Sequence, residues 1–147
     1  MPVSIDRCRP EDQPAVFRLL GDNGLPTAGL ADHLAHALVA RVGGRVVACA
    51  ALEIYADGAL LRSVAVAAGH RGSGLGQQIV RAALDLARER ATTSVYLLTT
   101  TADGFFPRFG FQRIAREDVP PEVRTSIEFQ SACPESAVVM SNGSAPR

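Results

Sequence analysis

Between residues 60 and 98 the chain reads as strand, glycine run, helix and strand, and this succession constrains the fold more than any other stretch. Residues 60–66 are rich in Leu, Val and Ala. In residues 75–90, Leu75, Ile79, Ala82, Ala83, Leu86 and Ala87 recur at three- and four-residue steps, while Arg81, Asp85, Arg88 and Glu89 fall elsewhere. One face of a helix therefore packs on a sheet. Residues 94–98 are again mostly apolar. A strand reached through a helical crossover pairs in parallel with the strand before it, in a sheet covered on both faces.

The run Arg71-Gly72-Ser73-Gly74-Leu75-Gly76 joins the first strand to the helix. Three glycines in five residues leave backbone N–H groups uncovered, and the helix adds its positive end. Two readings stand: a cradle for a phosphate, or a turn that lets the helix pack close to the sheet. The G-x-G-x-x-G fingerprint fails, because Gln77 would have to be its third glycine. No Gly-Lys-Ser or Gly-Lys-Thr occurs, so the P-loop fails too.

Around this unit the pattern predicts a strand at 3–7, a helix at 11–20 with Pro14 in its first turn, and a short helix at 30–37. Residues 38–42 and 45–55 form a hairpin across Gly43-Gly44, and with 60–66 they make an antiparallel meander. Residues 111–114 and 137–140 supply two last strands, with a short helix at 122–130 between them. The expected class is α+β, one twisted mixed sheet of six to seven strands flanked by helices. The domain spans residues 1–140, and 141–147 reads as a disordered tail.

The 147 residues suit one domain. Lys+Arg and Asp+Glu balance at 15 each, which leaves no net positive field for nucleic acid or acidic membranes. The first ten residues carry Asp6, Arg7 and Arg9 and lack the apolar core of a signal peptide, and no stretch has the length of a membrane span. A cytoplasmic location is expected. Cys8, Cys49 and Cys133 lie far apart, as reduced thiols do, and no C-x-x-C or His-x-x-His spacing suggests a metal site. His33, His36 and His70 read as surface or packing residues. An exposed last strand can pair with a second copy.

Arg71, Gly74 and Gly76 match the pattern Arg/Gln-x-x-Gly-x-Gly. Farther on, residues 96–100 are followed by a short helical stretch, 102–109, and by Gly110-Phe111. With both motifs in this order the chain resembles, over most of its length, the GCN5-related N-acetyltransferases (GNAT). The resemblance implies acetyl-CoA as co-substrate, its pantetheine arm along Val64, Ala65 and Val66 where the fourth and fifth strands splay. It implies a pyrophosphate on the N–H groups of Gly72, Ser73, Gly74, Leu75, Gly76 and Gln77, with Arg71 adding a contact or facing solvent. Phe106 takes the place where many relatives carry a tyrosine acid. Tyr96, a hydroxyl from Thr99, Thr100 or Thr101, or water must then protonate the departing thiolate.

An amine near pKa 10 is mostly protonated at neutral pH, so a proton acceptor is needed. Glu53 is the preferred candidate, against the reading that it is a solvated strand residue, and Asp32 and Glu128 are alternatives. Residues 61–66, 96–102 with Phe105 and Phe106, and 133–137 look like the acetyltransferases of bacterial arsenic resistance. That likeness implies a small amino-acid-like acceptor, including an arsenic-containing glutamate analogue. A carboxylate on it would want an arginine fork from Arg62, Arg113 or Arg124. Binding of trivalent arsenic by the three thiols is a separate idea. A protein N-acetyltransferase and a CoA-binding sensor without catalysis are the other classes of function.

Overall fold

The computed structural model describes residues 3–92, 94–132 and 136–143. Its regular elements are β1 (Val3–Arg7), α1 (Gln13–Asp22), β2 (Ala37–Val42), β3 (Arg45–Tyr55), β4 (Gly58–Val66), α2 (Leu75–Glu89), β5 (Val95–Thr99), β6 (Gln112–Arg113) and β7 (Val138–Ser141). They build one seven-stranded mixed sheet in the order β1-β2-β3-β4-β5-β7-β6. β1 to β4 form the antiparallel meander, β5 joins β4 in parallel through α2, and β7 lies antiparallel to both β5 and β6. The architecture is α+β, as the succession of elements predicts.

Alternation along the central strands explains the layers, since successive side chains point to opposite faces. Leu38 and Ala40 of β2 and Ala48, Ala50 and Leu52 of β3 pack with Ile79, Val80, Ala83 and Leu86 of α2. Val39, Cys49 and Ala51 face the other way, against Val16, Leu19 and Leu20 of α1. Farther along this second face, Leu60 and Val139 are covered by Val119 and Val123. Both faces are apolar because both are covered.

Several expectations need correction. The helix expected at 122–130 is broken into a 3-10 turn, Val123–Thr125, and a π turn, Glu128–Ala132. Ser126 between them is extended (ψ 142°), and its hydroxyl accepts the N–H of Glu128 at 3.2 Å, replacing helical pairing. The helix expected at 30–37 is a 3-10 turn, Leu30–His36, and the stretch 102–109 keeps only the 3-10 turn Phe106–Phe109. The last strand runs to Ser141 and sits inside the sheet, so the sheet's edges are β1 and β6 rather than the final strand. Cys133 and residues 144–147 lie outside the described residues. Among the described residues no helix is long and apolar enough to cross a membrane.

The start of α1 is fastened to β2 by one ion pair. Arg41 Nη1 and Nη2 donate to Asp12 Oδ1 and Oδ2 at 2.6 and 2.8 Å, and the Arg9 N–H donates to Asp12 Oδ2 at 2.8 Å. The hydrogen bonds from Arg41 hold the Asp12 carboxyl down at about 2, against burial, which acts to raise it. A depressed carboxyl contributes stability above its ordinary value and loses it as the pH falls toward the folded one. Asp12→Asn is therefore expected to lose about 1–2 kcal/mol at neutral pH. In urea unfolding, the wild-type advantage should shrink as the pH drops from 3.8 toward 2.

Candidate active site

β4 and β5 pair only at Ala59↔Val95 and Leu60↔Tyr96, and beyond Leu60 they part. In the same stretch the register of β3 against β4 slips between Cys49↔Ala65 and Ala51↔Arg62. Ser63, inside the slip, adopts a left-handed backbone with φ +60°. This bulge changes the side-chain alternation. Leu60 and Ala65 pack with clusters on the α1 side, whereas Leu61, Val64 and Val66 pack with α2. The Cys49 thiol donates to the Ser63 carbonyl at 3.2 Å and Arg62 Nε donates to Ser63 Oγ at 3.1 Å, bracing the bulge.

Two cavities fill the wedge. One, of about 460 Å³, is lined by residues 23–26, by Leu61, Arg62, Ser63 and Val64 of β4, by residues 97–102, and by Phe106 and Glu128. The other, of about 550 Å³, is lined by Val64, Ala65, Val66, His70, Arg71, Gly72, Gly74, Gly76, Gln77, Phe105, Phe106 and Arg108 with Asn23 and Ala102. They share Asn23, Val64, Ala102 and Phe106 and so adjoin one another along the wedge. Of the residues expected at the cofactor, Ser73 and Leu75 are not on its wall. Ser73 Oγ donates to the His70 carbonyl at 2.7 Å, and Leu75 is buried in the core under α2.

The glycine loop suits an anion. Gly72 and Gly74 have φ of +81° and +83°, a conformation that favours glycine, and a Cβ at either would meet nothing within 4 Å. The glycines answer to the backbone, and the space before them stays open. The N-cap of α2, Gly74, makes no side-chain cap, and Gly74, Gly76 and Gln77 line the cavity where the helix's N-terminal end favours an anion. His70, Arg71 and Arg108 line this cavity and no carboxylate does, among the described residues. Arg71 also fastens the loop, with Nε donating to the Val66 carbonyl at 3.2 Å and Nη2 to Asn23 Oδ1 at 2.6 Å. The cradle fits a diphosphate.

At the other cavity a cluster of charges is buried. Glu53 is 1% exposed, which removes the reading of it as a solvated strand residue. Its Oε1 accepts from Tyr55 Oη at 2.5 Å and its Oε2 from Arg62 Nη1 at 2.9 Å, with His33 Nε2 at 3.8 Å. Arg62, fully enclosed, also places Nη2 3.3 Å from Glu128 Oε2 and donates to the Pro26 carbonyl at 3.3 Å. Burial pushes the Glu53 carboxyl up, but hydrogen bonds from Ser126, Tyr55 and Arg62 outweigh it, and the net effect lies below the ordinary value. Burial and then the Glu53 carboxylate push the Tyr55 phenol up.

The structure brings together only part of the expected substrate and catalytic set. Glu53 lines neither cavity and stands behind Arg62. Tyr96 packs in the cluster of Leu60 and Val139, off both cavity walls, because its strand parity turns it away from the wedge. Asp32 is exposed in the turn before β2, away from both walls. Arg113 is exposed and paired with Asp103 at 3.3 Å, and Arg124, in the turn Val123–Thr125, lies outside both cavities. Arg62 alone of the three arginines lines the wedge, and it already holds two carboxylates. Phe106 sits at the junction of the cavities with no hydroxyl to offer, edge-on to Phe105 and Phe111. Burial pushes the Cys49 thiol up to about 12, which keeps it protonated at neutral pH and unsuited to a soft ion. Sequence reasoning gave no sign of Asn23 or the Ser63 bulge, whereas Glu128, an alternative proton acceptor on sequence grounds, does line the cavity.

A model of the GNAT acetyltransferase domain matches residues 33–113. An uncharacterized N-acetyltransferase of Chlorobaculum tepidum, CT2212, is 32% identical over 112 residues, or 74% of this chain and 72% of that protein. An amino-acid acetyltransferase of Mycobacterium tuberculosis is 38% identical over 81 residues, or 54% of this chain, and the match spans 46% of that protein. Among solved structures, Rv2747 from Mycobacterium tuberculosis in complex with CoA superposes with a TM-score of 0.81 at 26% identity, covering 97% of this chain and 99% of that one. Gly74→Glu would place a carboxylate in the cradle at a left-handed position. It is expected to weaken CoA binding at least about 100-fold while the chain stays folded. Calorimetric titration with CoA beside a thermal melt checks both halves, and an unchanged CoA affinity would remove the cradle assignment.

Proposed function

The chain belongs to the GNAT acetyltransferase family and is an acetyl-CoA-dependent N-acetyltransferase, and from that premise we propose that it acetylates the primary amine of a small amino-acid-like acceptor held in the wedge between β4 and β5. The observation that carries this reading is the joining of two unlike cavities. One is lined by basic groups and bare backbone, the other by Arg62, Glu128, Thr99, Thr100 and Thr101, and they share Asn23, Val64, Ala102 and Phe106. Acetyl-CoA supplies an activated acetyl thioester with a thiol as leaving group. The residues that would hold it are Val64, Ala65 and Val66 along the arm and residues 72–77 at the diphosphate, with Phe106 packed where the thioester would lie.

An amino-acid acceptor is favoured by the size of the cavity. Its volume of about 460 Å³, lined in part by residues 23–26 and Glu128, suits a small molecule, which weighs against a protein substrate. The likeness to the amino-acid acetyltransferase of Mycobacterium tuberculosis supports the same class. Within that class we propose a glutamate-like acceptor, including arsenic- or phosphorus-containing analogues, on the resemblance of residues 61–66 and 96–102 to the arsenic-resistance acetyltransferases. Phe106 favours one further reading, a CoA-binding sensor without turnover, because the junction offers no phenol to protonate the thiolate. A thiolate is a fair leaving group and water can protonate it, so acetyl transfer remains the stronger reading.

An acetyl-CoA consumption screen over amino acids and their phosphorus and arsenic analogues tests the proposal, with product masses recorded. Turnover is expected with at least one small amino acid, the product gaining one acetyl group. Tight CoA binding with no turnover on any amine would overturn the enzymatic reading in favour of the sensor.

A further inference from the structure

Resting on the amino-acid acceptor reading above, we propose that Glu128 is the carboxylate that receives the acceptor's ammonium and takes its proton, and that Arg62 acts as the positioning residue that holds it. Among the described residues, Arg62 and Glu128 are the two ionisable residues lining the cavity that includes Val64 and Phe106, and of their side chains Glu128 keeps 5% exposure and Arg62 none. A guanidinium is already protonated and cannot serve as a base. Glu53, the residue that chemistry alone would favour, stands behind Arg62, off the wall.

Glu128 is placed by packing as well as by charge. Gly29 has φ +77°, and a Cβ there would come within 2.6 Å of Ile127 Cγ2 and 3.6 Å of Arg62 Nη1. The bare backbone of Gly29 thus lets Ile127 settle beside Arg62. The break of helical pairing at Ser126 then starts a new turn at Glu128, whose Oε2 lies 3.3 Å from Arg62 Nη2. Glu53, Arg62 and Glu128 together sum to one negative charge, which favours an incoming ammonium. Arg62 of β4 lies against Glu128, and on the other side of Arg62 stands Glu53 of β3, with Tyr55 of β3 and His33 of the turn before β2 against it.

The step balances simply. The ammonium gives one proton to the Glu128 carboxylate, and the freed nitrogen lone pair forms the N–C bond to the acetyl carbonyl carbon. The C–S bond breaks with its electron pair on sulfur, the thiolate takes a proton from water, and the nitrogen's remaining extra proton returns to solvent.

The test uses the full chain and the amino acid with the largest kcat/KM among the twenty L-amino acids, with kcat/KM followed against pH. Glu128→Gln is expected to lose about 100-fold or more near neutral pH. The deficit should narrow as the pH approaches the pKa of the amine, because solvent then supplies neutral amine unaided. CoA affinity should be unchanged, and the CoA complex should bind the amino acid more weakly while its desamino analogue binds as before. Glu128→Asp should keep the shape of the wild-type profile at a lower kcat, which serves as the test should Glu128→Gln fail to fold. A loss by the same factor at every pH, a parallel loss of CoA affinity, or disappearance of the acidic limb in His33→Asn instead would overturn the assignment. A wild type that acetylates none of the amino acids would overturn the acceptor reading itself, and this inference with it.

Discussion

The site depends on β4 being unable to stay paired with both neighbours. Its antiparallel ladder with β3 runs to Val66, but its parallel ladder with β5 stops at Leu60. A bulge at Ser63 absorbs the mismatch at the cost of one strained residue, on the order of 1–3 kcal/mol. From that point the main chain of 64–66 has no partner strand on the β5 side, although Arg71 Nε reaches the Val66 carbonyl, and a strand edge without a neighbour is a receptor for an extended polar chain. The bulge also sends Val64 and Val66 toward α2, which keeps the floor of the wedge apolar.

Burial of Arg62 is the second requirement. A guanidinium with no solvent contact is tolerated only when paired, and breaking one side of such a pair costs about 3–5 kcal/mol. Here Glu53 and Tyr55 behind it, Glu128 before it and the Pro26 carbonyl beside it share that task. The same contacts tie β3, β4, the loop after α1 and the π turn into one unit. A residue that reads from sequence as a ligand for substrate is thereby also a fastener for the walls of the cavity. The roles are compatible only if substrate meets the cluster from the Glu128 side.

How far the sequence could be read follows from what each element depends on. α2 was legible because Ile79, Ala83 and Leu86 repeat on one face whatever surrounds them. The β2–β3 hairpin was legible because Gly43-Gly44 sets its turn locally, and β3 begins at Arg45 and ends at Tyr55 as expected. The glycine loop declared itself through composition. Ser63 did not, since a serine at positive φ has no sequence signature and the bulge exists only against β3. The helix expected at 122–130 failed because Ile127 and Glu128 answer to Gly29 and Arg62, nearly a hundred and more than sixty residues away in the chain. Tyr96 misled because its catalytic reading required facing the wedge, and strand parity, settled by what covers each face, turned it to Leu60 and Val139.

The two ends of the groove divide the electrostatic work. At the loop, bare N–H groups and the positive end of α2 meet an anion with His70, Arg71 and Arg108 nearby. At the acceptor end the guanidinium of Arg62 is outnumbered by Glu53 and Glu128, so any carboxylate carried by the acceptor must compete with two protein carboxylates for it. The neutral residues Thr100 and Thr101 on the same cavity are better suited to a second anionic group, since they require no charge to be displaced. An acceptor bearing one ammonium and one acidic group would therefore lie with its amine toward Glu128 and its acid toward Thr100 and Thr101. That orientation keeps the like charges of acceptor and cluster apart.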